Sequence, residues 1–165
     1  MASNRLLILP ALLIAMAGSP LASSIAMTTG SEVPSAASTS SGSSQTAALY
    51  AQAKASIDAG DYAAAIAPLQ QIVVTEPRNA DAYNLLGYAS RSLERYNEAM
   101  EYYQRALAAD PEHLGANEYY GELMLTLGNL PAAQERLAVL DEVCFLGCDE
   151  YDALAAAIDT YMAAE

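Results

Sequence analysis

Two cysteines are the residues of this 165-residue chain whose type and spacing point most directly to chemistry. They are the only cysteines and lie in the segment Cys144-Phe145-Leu146-Gly147-Cys148. Two thiols in a chain that reaches an oxidising compartment usually pair, so we predict a disulfide that fixes a turn. A redox-active thiol pair and a soft-metal site, such as copper held by both thiolates, stay open as alternatives. Neither is favoured, because the motif lacks the two-residue spacing of thioredoxin-like chemistry and contains no His or Met.

The single histidine, His113, limits the other kinds of catalytic chemistry. A Ser-His-Asp or Cys-His relay has no other histidine to use. His113 follows Pro111 and has no clustered partner in the sequence, so we predict a solvated loop residue. The sequence also shows no phosphate loop, no paired-carboxylate motif in a pocket-forming context and no nucleophile–base pair. We therefore expect no enzyme activity, no catalytic residue, no cofactor and no bound metal.

The charge balance excludes two classes of partner. Asp and Glu number 20 against 7 for Lys and Arg, which gives a formal net charge of −13. Phosphate binding needs a basic face, so we expect no nucleic-acid partner. An anionic lipid surface would likewise repel this chain.

The N-terminal segment has the pattern of a secretory signal peptide, predicted over residues 1–26. Arg5 precedes an apolar run from Leu6 to Ala17, and Gly, Ser and Pro follow it. Ser24 and Ala26 are the small residues expected at the −3 and −1 positions, which favours cleavage after Ala26. The alternative is an uncleaved membrane anchor, but Pro and Gly interrupt the stretch. We therefore predict a periplasmic or secreted protein with no stable membrane insertion after cleavage.

Residues 27–45 are rich in Ser, Thr, Gly and Pro and have no apolar period. Such a segment cannot bury enough surface to offset its ordering entropy. We predict a disordered linker between the signal peptide and the folded domain.

The rest of the chain is an internal repeat. Residues 46–79 and 80–113 align without gaps at a 34-residue offset, and a third unit, 114–147, continues the register. The aligned positions include Tyr62 with Tyr96, Ala65 with Ala99 and Ala133, Gly87 with Gly121, Tyr103 with Leu137, and Pro77 with Pro111. Apolar periodicity and the closing prolines predict helices over residues 46–58, 62–75, 80–92, 96–109, 114–127 and 131–143. A further amphipathic segment, residues 149–165, is predicted to cap the open end of the stack.

The repeated residues closely resemble the tetratricopeptide repeat family over residues 46–147. The second unit fills the family's positions with Tyr83, Leu86, Gly87, Tyr96, Ala99, Tyr103, Ala106 and Pro111. The first unit departs at Gln52, and the third ends with Phe145 where the family has a closing proline. The resemblance implies an all-α, right-handed superhelical solenoid of three helix pairs over residues 46–148, with a C-terminal capping helix.

The resemblance also implies a concave groove lined by the first helix of each pair. Seven positions of this chain, called the groove residues below, correspond to those that face the groove in the family: Tyr50, Lys54, Asn84, Tyr88, Arg91, Glu118 and Glu122. Lys54, Asn84 and Arg91 could together hold a carboxylate, such as the C-terminus of a partner. The two tyrosines would offer flat apolar area, and the two glutamates would make the far end negative. The alternative is that these side chains form a solvated face with local ion pairs.

We therefore expect a non-catalytic, exported module or adaptor that binds a peptide or partner protein in its groove, with a role in an envelope assembly. Three repeats also leave enough exposed edge for self-association. The alternative is a periplasmic redox or metal-handling accessory that uses Cys144 and Cys148.

Overall fold

The computed structural model describes residues 38–164 of the chain. Within that range the backbone forms seven α-helices and no strand. Their bounds are α1 Ser38–Asp58, α2 Tyr62–Thr75, α3 Ala80–Ser92, α4 Tyr96–Ala109, α5 Leu114–Thr126, α6 Leu130–Val143 and α7 Asp149–Ala163. The predicted signal peptide, residues 1–26, and residues 27–37 of the predicted linker lie outside the described range.

The helices pack in pairs that follow the order of the sequence. Helix α1 packs against α2, α3 against α4 and α5 against α6, and contacts of α2 with α3 and of α4 with α5 join the pairs. Helix α7 packs on α5 and α6, where the first helix of a further pair would lie. The chain is therefore an all-α solenoid of three helix pairs with a C-terminal capping helix, which confirms the predicted fold class.

Helix α1 begins earlier than the composition suggested. Residues 38–45 are helical, so the prediction of a disordered linker is wrong for that part of residues 27–45. Forming the first turn is the unfavourable step of helix formation, and each residue added to an existing helix costs little. The existing helix is anchored: Leu49 packs on the core, and the Thr46 hydroxyl donates a hydrogen bond to the carboxylate of Glu76. None of the helices in the described range is both long and apolar enough to span a membrane.

The turn inside each pair needs a residue in the left-handed backbone region. Gly60 and Gly128 supply it in the first and third pairs, with φ of 75° and 73°. The equivalent residue of the second pair is Glu94, with φ of 59°. A side chain at such an angle crowds its own backbone, so the second pair carries strain that the other two avoid.

Two glycines allow close contacts in the core. A Cβ atom on Gly87 would lie 2.5 Å from the ring of Tyr103, which comes from the second helix of the same pair. A Cβ atom on Gly121 would lie 2.6 Å from Leu154 of α7. The repeat alignment would have placed Leu137, the counterpart of Tyr103, in that space. The capping helix therefore fills the space beside Gly121 on α5, a helix that also packs against α6.

Candidate partner-binding face

The groove residues lie on the first helix of each pair, as the repeat register requires. Tyr50 and Lys54 are on α1, one turn apart. Helix α3 carries Asn84, Tyr88 and Arg91, and helix α5 carries Glu118 and Glu122. Because α3 packs against α5, the residues on these two helices form one surface.

Arg91 is the centre of the α3–α5 surface. Its guanidinium Nη1 lies 2.7 Å from Glu122 Oε2, and the two side chains are only 22% and 26% exposed. The guanidinium carbon also lies 5.9 Å from the ring centroid of Tyr88 and 5.8 Å from that of Tyr119. A charge-assisted hydrogen bond and two cation–π contacts therefore hold this cation in place before any partner arrives.

The aromatic part of this surface is larger than the sequence suggested. The rings of Tyr88 and Tyr119 lie 5.1 Å apart, and Tyr62 meets Tyr88 edge-on at 5.9 Å. Neither Tyr62 nor Tyr119 was among the predicted groove residues. The available signal for Tyr119 was its position three residues before Glu122, which puts both on one helix face. Burial raises the pKa of both Tyr88 and Tyr119, so their hydroxyls stay protonated.

Glu118 is the glutamate of this face that has no ion-pair partner among the described residues. Partial burial, with the negative charges of Glu122 and Glu150, raises its pKa to about 7, against the weaker opposing effect of Arg91. Glu150 belongs to the capping helix and was not among the predicted groove residues. Glu118 makes no salt bridge to the described residues, so this end of the face has excess negative charge.

The α1 residues are arranged differently. The Tyr50 hydroxyl donates a hydrogen bond to Asn79 Oδ1, the oxygen that also caps α3 by accepting from the Ala82 N–H. Burial and nearby carboxylates raise the pKa of Tyr50. Lys54 is exposed and forms no ion pair with the residues that the structure describes. It is therefore a cation available to a partner.

Asn84 is buried between α3 and α5. A Cβ atom on Gly115 would lie 3.0 Å from Asn84 Nδ2, and Asn84 Oδ1 accepts no hydrogen bond within the described residues. Arg91 is already paired with Glu122. A carboxylate of a partner would therefore compete with Glu122 for Arg91, and the three-residue carboxylate site stays a prediction.

Tyr103 reaches this face from α4. Its ring crosses α3 at Gly87, and its fully buried hydroxyl makes no hydrogen bond within the described range. Burial raises the pKa of Tyr103, and Arg91 opposes that rise.

The prediction of a solvated loop histidine is wrong. The His113 side chain is only 13% exposed, and its Nε2 lies 3.0 Å from Asp81 Oδ1 on α3. Its Nδ1 accepts the Ala116 N–H at 3.1 Å and so caps α5. With Nδ1 as acceptor, the ring proton of the neutral imidazole lies on Nε2 and is donated to Asp81.

The two cysteines form a disulfide between α6 and α7. The S–S distance is 2.07 Å and the Cα–Cα distance 5.6 Å. Within the described residues there is no group of three or more His, Cys, Asp and Glu side chains arranged to hold a metal ion.

Comparison with known proteins is consistent with this architecture. Two family profiles, both described as tetratricopeptide repeat, match residues 50–113 and 90–158. No curated protein sequence matches the chain.

Several solved structures share the fold. The Yersinia enterocolitica type III secretion translocator chaperone SycD, in an alternative dimer, has a TM-score of 0.63 at 20% identity, covering 73% of this chain and 91% of its own. The same chaperone with a peptide of the translocator YopD scores 0.60 at 21%, covering 70% and 88%. The complex of the TPR2B domain of yeast Sti1 with pHsp70 scores 0.64 at 18%, covering 70% and 97%. At these identities the likeness shows the fold alone.

Proposed function

The chain belongs to the tetratricopeptide repeat family, and from that premise we propose that it is a non-catalytic protein-interaction module that binds a peptide or partner protein across its groove residues. The observation that carries the proposal is the α3–α5 surface. There Tyr88, Tyr119 and Arg91 are held in fixed positions yet keep part of their area exposed. Rigid aromatic side chains bind a partner at a low cost in conformational entropy.

Two structural neighbours support the same class of function. One is a secretion chaperone bound to a peptide of its translocator, and the other is a repeat domain complexed with pHsp70. Fold similarity alone does not establish a function, so the proposal depends on the groove residues of this chain.

The charges of the groove residues suggest the polarity of the bound segment. Lys54 on α1 is a cation that forms no ion pair with the described residues, whereas Glu118 and Glu150 make the α5–α7 end negative. A segment with a carboxylate near Lys54 and a Lys or Arg near Glu118 would match both ends. Arg91 contributes to the shape of the face, since Glu122 already neutralises it.

We also propose that the protein is exported and serves in an envelope assembly. The support is the N-terminal pattern of a basic residue, an apolar run and small residues at the cleavage position. Intact-mass analysis of the protein from each compartment of the native host tests this. Export predicts a periplasmic or secreted species that begins at Met27, and a full-length cytoplasmic species would contradict it.

Charge reversal at Lys54 tests groove binding. With the variant Lys54→Glu, affinity purification from the native host should recover at least tenfold less partner, because the lysine would attract the partner's carboxylate. Arg78→Glu is the matched control, since it makes the same change in charge at an exposed position outside the groove residues. Equal recovery with both variants would contradict groove binding.

The alternative, a redox or metal-handling accessory, depends on the cysteines. The double variant Cys144→Ser/Cys148→Ser separates the two functions. Groove binding predicts that this variant still captures a partner that Lys54→Glu loses. The accessory function predicts the reverse.

A further inference from the structure

The turn between α6 and α7 holds the most exposed large apolar side chains of the described residues. Phe145 is 83% exposed and Leu146 is 86% exposed. Phe145 is the only phenylalanine in the sequence. Val143, just before the turn, is also partly exposed. Adjacent apolar side chains kept in water are unfavourable in the free protein, which marks the turn as a surface for interaction.

This segment, residues 144–148, is called the Phe-Leu turn below. The Gly147 N–H donates to the Cys144 carbonyl at 2.6 Å, which places Phe145 and Leu146 at the two corner positions of a β-turn. The disulfide between Cys144 and Cys148 closes the same segment a second time. Gly147 adopts a φ of 89°, which suits glycine best. With α6 ending at Val143 and α7 beginning at Asp149, both ends of the turn are anchored.

The turn is surrounded by acidic residues. Asp141 and Glu142 occupy the last turn of α6, and Asp149, Glu150 and Asp152 the first turn of α7. The acids of α7 favour their helix, because they lie at its positive N-terminal end. The acids of α6 oppose theirs, because they lie at its negative end, where no basic residue compensates. Stabilisation of α6 therefore does not explain the presence of Asp141 and Glu142 in its last turn.

We propose that the Phe-Leu turn is a second docking surface, whose partner is a protein with an apolar socket bordered by Lys or Arg side chains. Such a socket would remove both apolar side chains from water and would pair with the acids on both sides of the turn. The two features that are unfavourable in the free protein would then each favour the complex. The hydrogen bond and the disulfide both close the turn, so the side chains of Phe145 and Leu146 are held in exposed positions before binding. Binding therefore costs little conformational entropy.

Charge selects this partner over two others. An anionic membrane would repel the five acids. A second copy of this chain would bring another net charge of −13 to the contact. Both remain as outcomes that would overturn the proposal.

Photocrosslinking in the native host tests it. The probe is p-benzoylphenylalanine at position 145, which keeps the aromatic character of Phe145. We expect a crosslink to one protein segment in which apolar residues are flanked by Lys or Arg. The yield should fall at least tenfold in a Leu146→Ser background and at least threefold with Asp141→Asn and Glu142→Gln. The same probe at Val74, which is 78% exposed on α2, is the matched control.

The proposal would be overturned by a yield no higher than at Val74, by a crosslink to lipid or to a second copy, or by a yield unaffected by the two α6 variants. Far-UV circular dichroism melting of each variant separates loss of contact from loss of folding. Lys54→Glu should leave this crosslink intact. If Lys54→Glu abolished the crosslink, the contact would belong to the groove partner, and the proposal of a separate docking surface would be overturned.

Discussion

The α1 side and the α3–α5 side of the candidate face carry the same kinds of residue in different states. Lys54 on α1 is exposed and unpaired within the described residues, whereas Arg91 on α3 is fixed by Glu122 and two tyrosine rings. The repeat register assigned both cations to carboxylate binding. The difference teaches that register places a side chain on a face, while its neighbours from other repeats decide whether it is available.

The largest effect is expected from filling the space beneath the α3–α5 side. Gly87→Ala would put a methyl group 2.5 Å from the Tyr103 ring, where only a shift of core side chains could relieve the clash. We expect it to lower the free energy of unfolding by about 3 kcal/mol. Urea unfolding measures this. The control is Gly42→Ala on α1, where nothing lies within 4 Å of the new Cβ atom. Gly42→Ala should raise the free energy of unfolding by up to about 1 kcal/mol. An equal loss of stability in both variants would refute the difference between the two sides.

A pair of alanine variants tests the two cations directly. Arg91→Ala should cost about 2 kcal/mol, between the values for exposed and buried ion pairs, because it leaves Glu122 unpaired. Lys54→Ala should change stability by less than about 0.5 kcal/mol. Adding Glu122→Ala to Arg91→Ala completes a double-mutant cycle for the pair. A costly Lys54→Ala or a neutral Arg91→Ala would reverse the comparison.

The excess negative charge at Glu118 predicts a pH dependence of stability. Its folded-state pKa, about 7, is above the ordinary 4.5, so its stabilising contribution is complete below pH 4.5 and is lost as pH rises through 7. Glu118→Gln should therefore be more stable than the wild type at pH 8, by about 1 kcal/mol once solvent screening is allowed for. The gap should close near pH 4.5. Thermal melts between pH 4.5 and 8 measure it, with the exposed Glu101→Gln as control, and a gap independent of pH would contradict the assignment.

The smallest effect concerns the strained turn of the second pair. Glu94→Gly would give this turn the residue found at Gly60 and Gly128 and remove the backbone crowding at φ of 59°. We expect a gain of about 0.5 kcal/mol, because the greater freedom of glycine in the unfolded chain offsets part of the relief. Gly60→Glu should destabilise the first pair. Denaturant midpoints of both variants check the pattern, and a loss of stability in Glu94→Gly would be the contrary result.

The sequence was sufficient for the repeat architecture because the signals for it are local. Small residues, closing prolines and apolar periods recur at fixed spacing, and the predicted bounds of the second, third and fourth helices match α2, α3 and α4. The start of α1 was missed because its Ser- and Thr-rich sequence has no apolar period that would predict a helix. These residues are helical because a helix can extend from an anchored turn.

The details of the candidate site depend on contacts between residues far apart in sequence. His113 was assigned to solvent because its partner Asp81 is 32 residues away. The ion pair of Arg91 with Glu122 was not predicted for the same reason, since Glu122 belongs to the next repeat. The contact of Leu154 with Gly121 has no counterpart in the other repeats, because it comes from the capping helix, which occurs only once.

Zero-length crosslinking at Lys54 tests most directly whether a partner occupies the groove. Lys54 is the only lysine in the sequence, so it is the only lysine amine of this chain that a carbodiimide can join to a carboxylate. Mass spectrometry of the complex isolated from the native host should show an amide bond between Lys54 and a carboxylate of the partner, and Lys54→Arg should remove that bond while the partner still binds. A bound partner with Lys54 unmodified, or joined only to carboxylates of its own chain, would contradict binding at the groove residues.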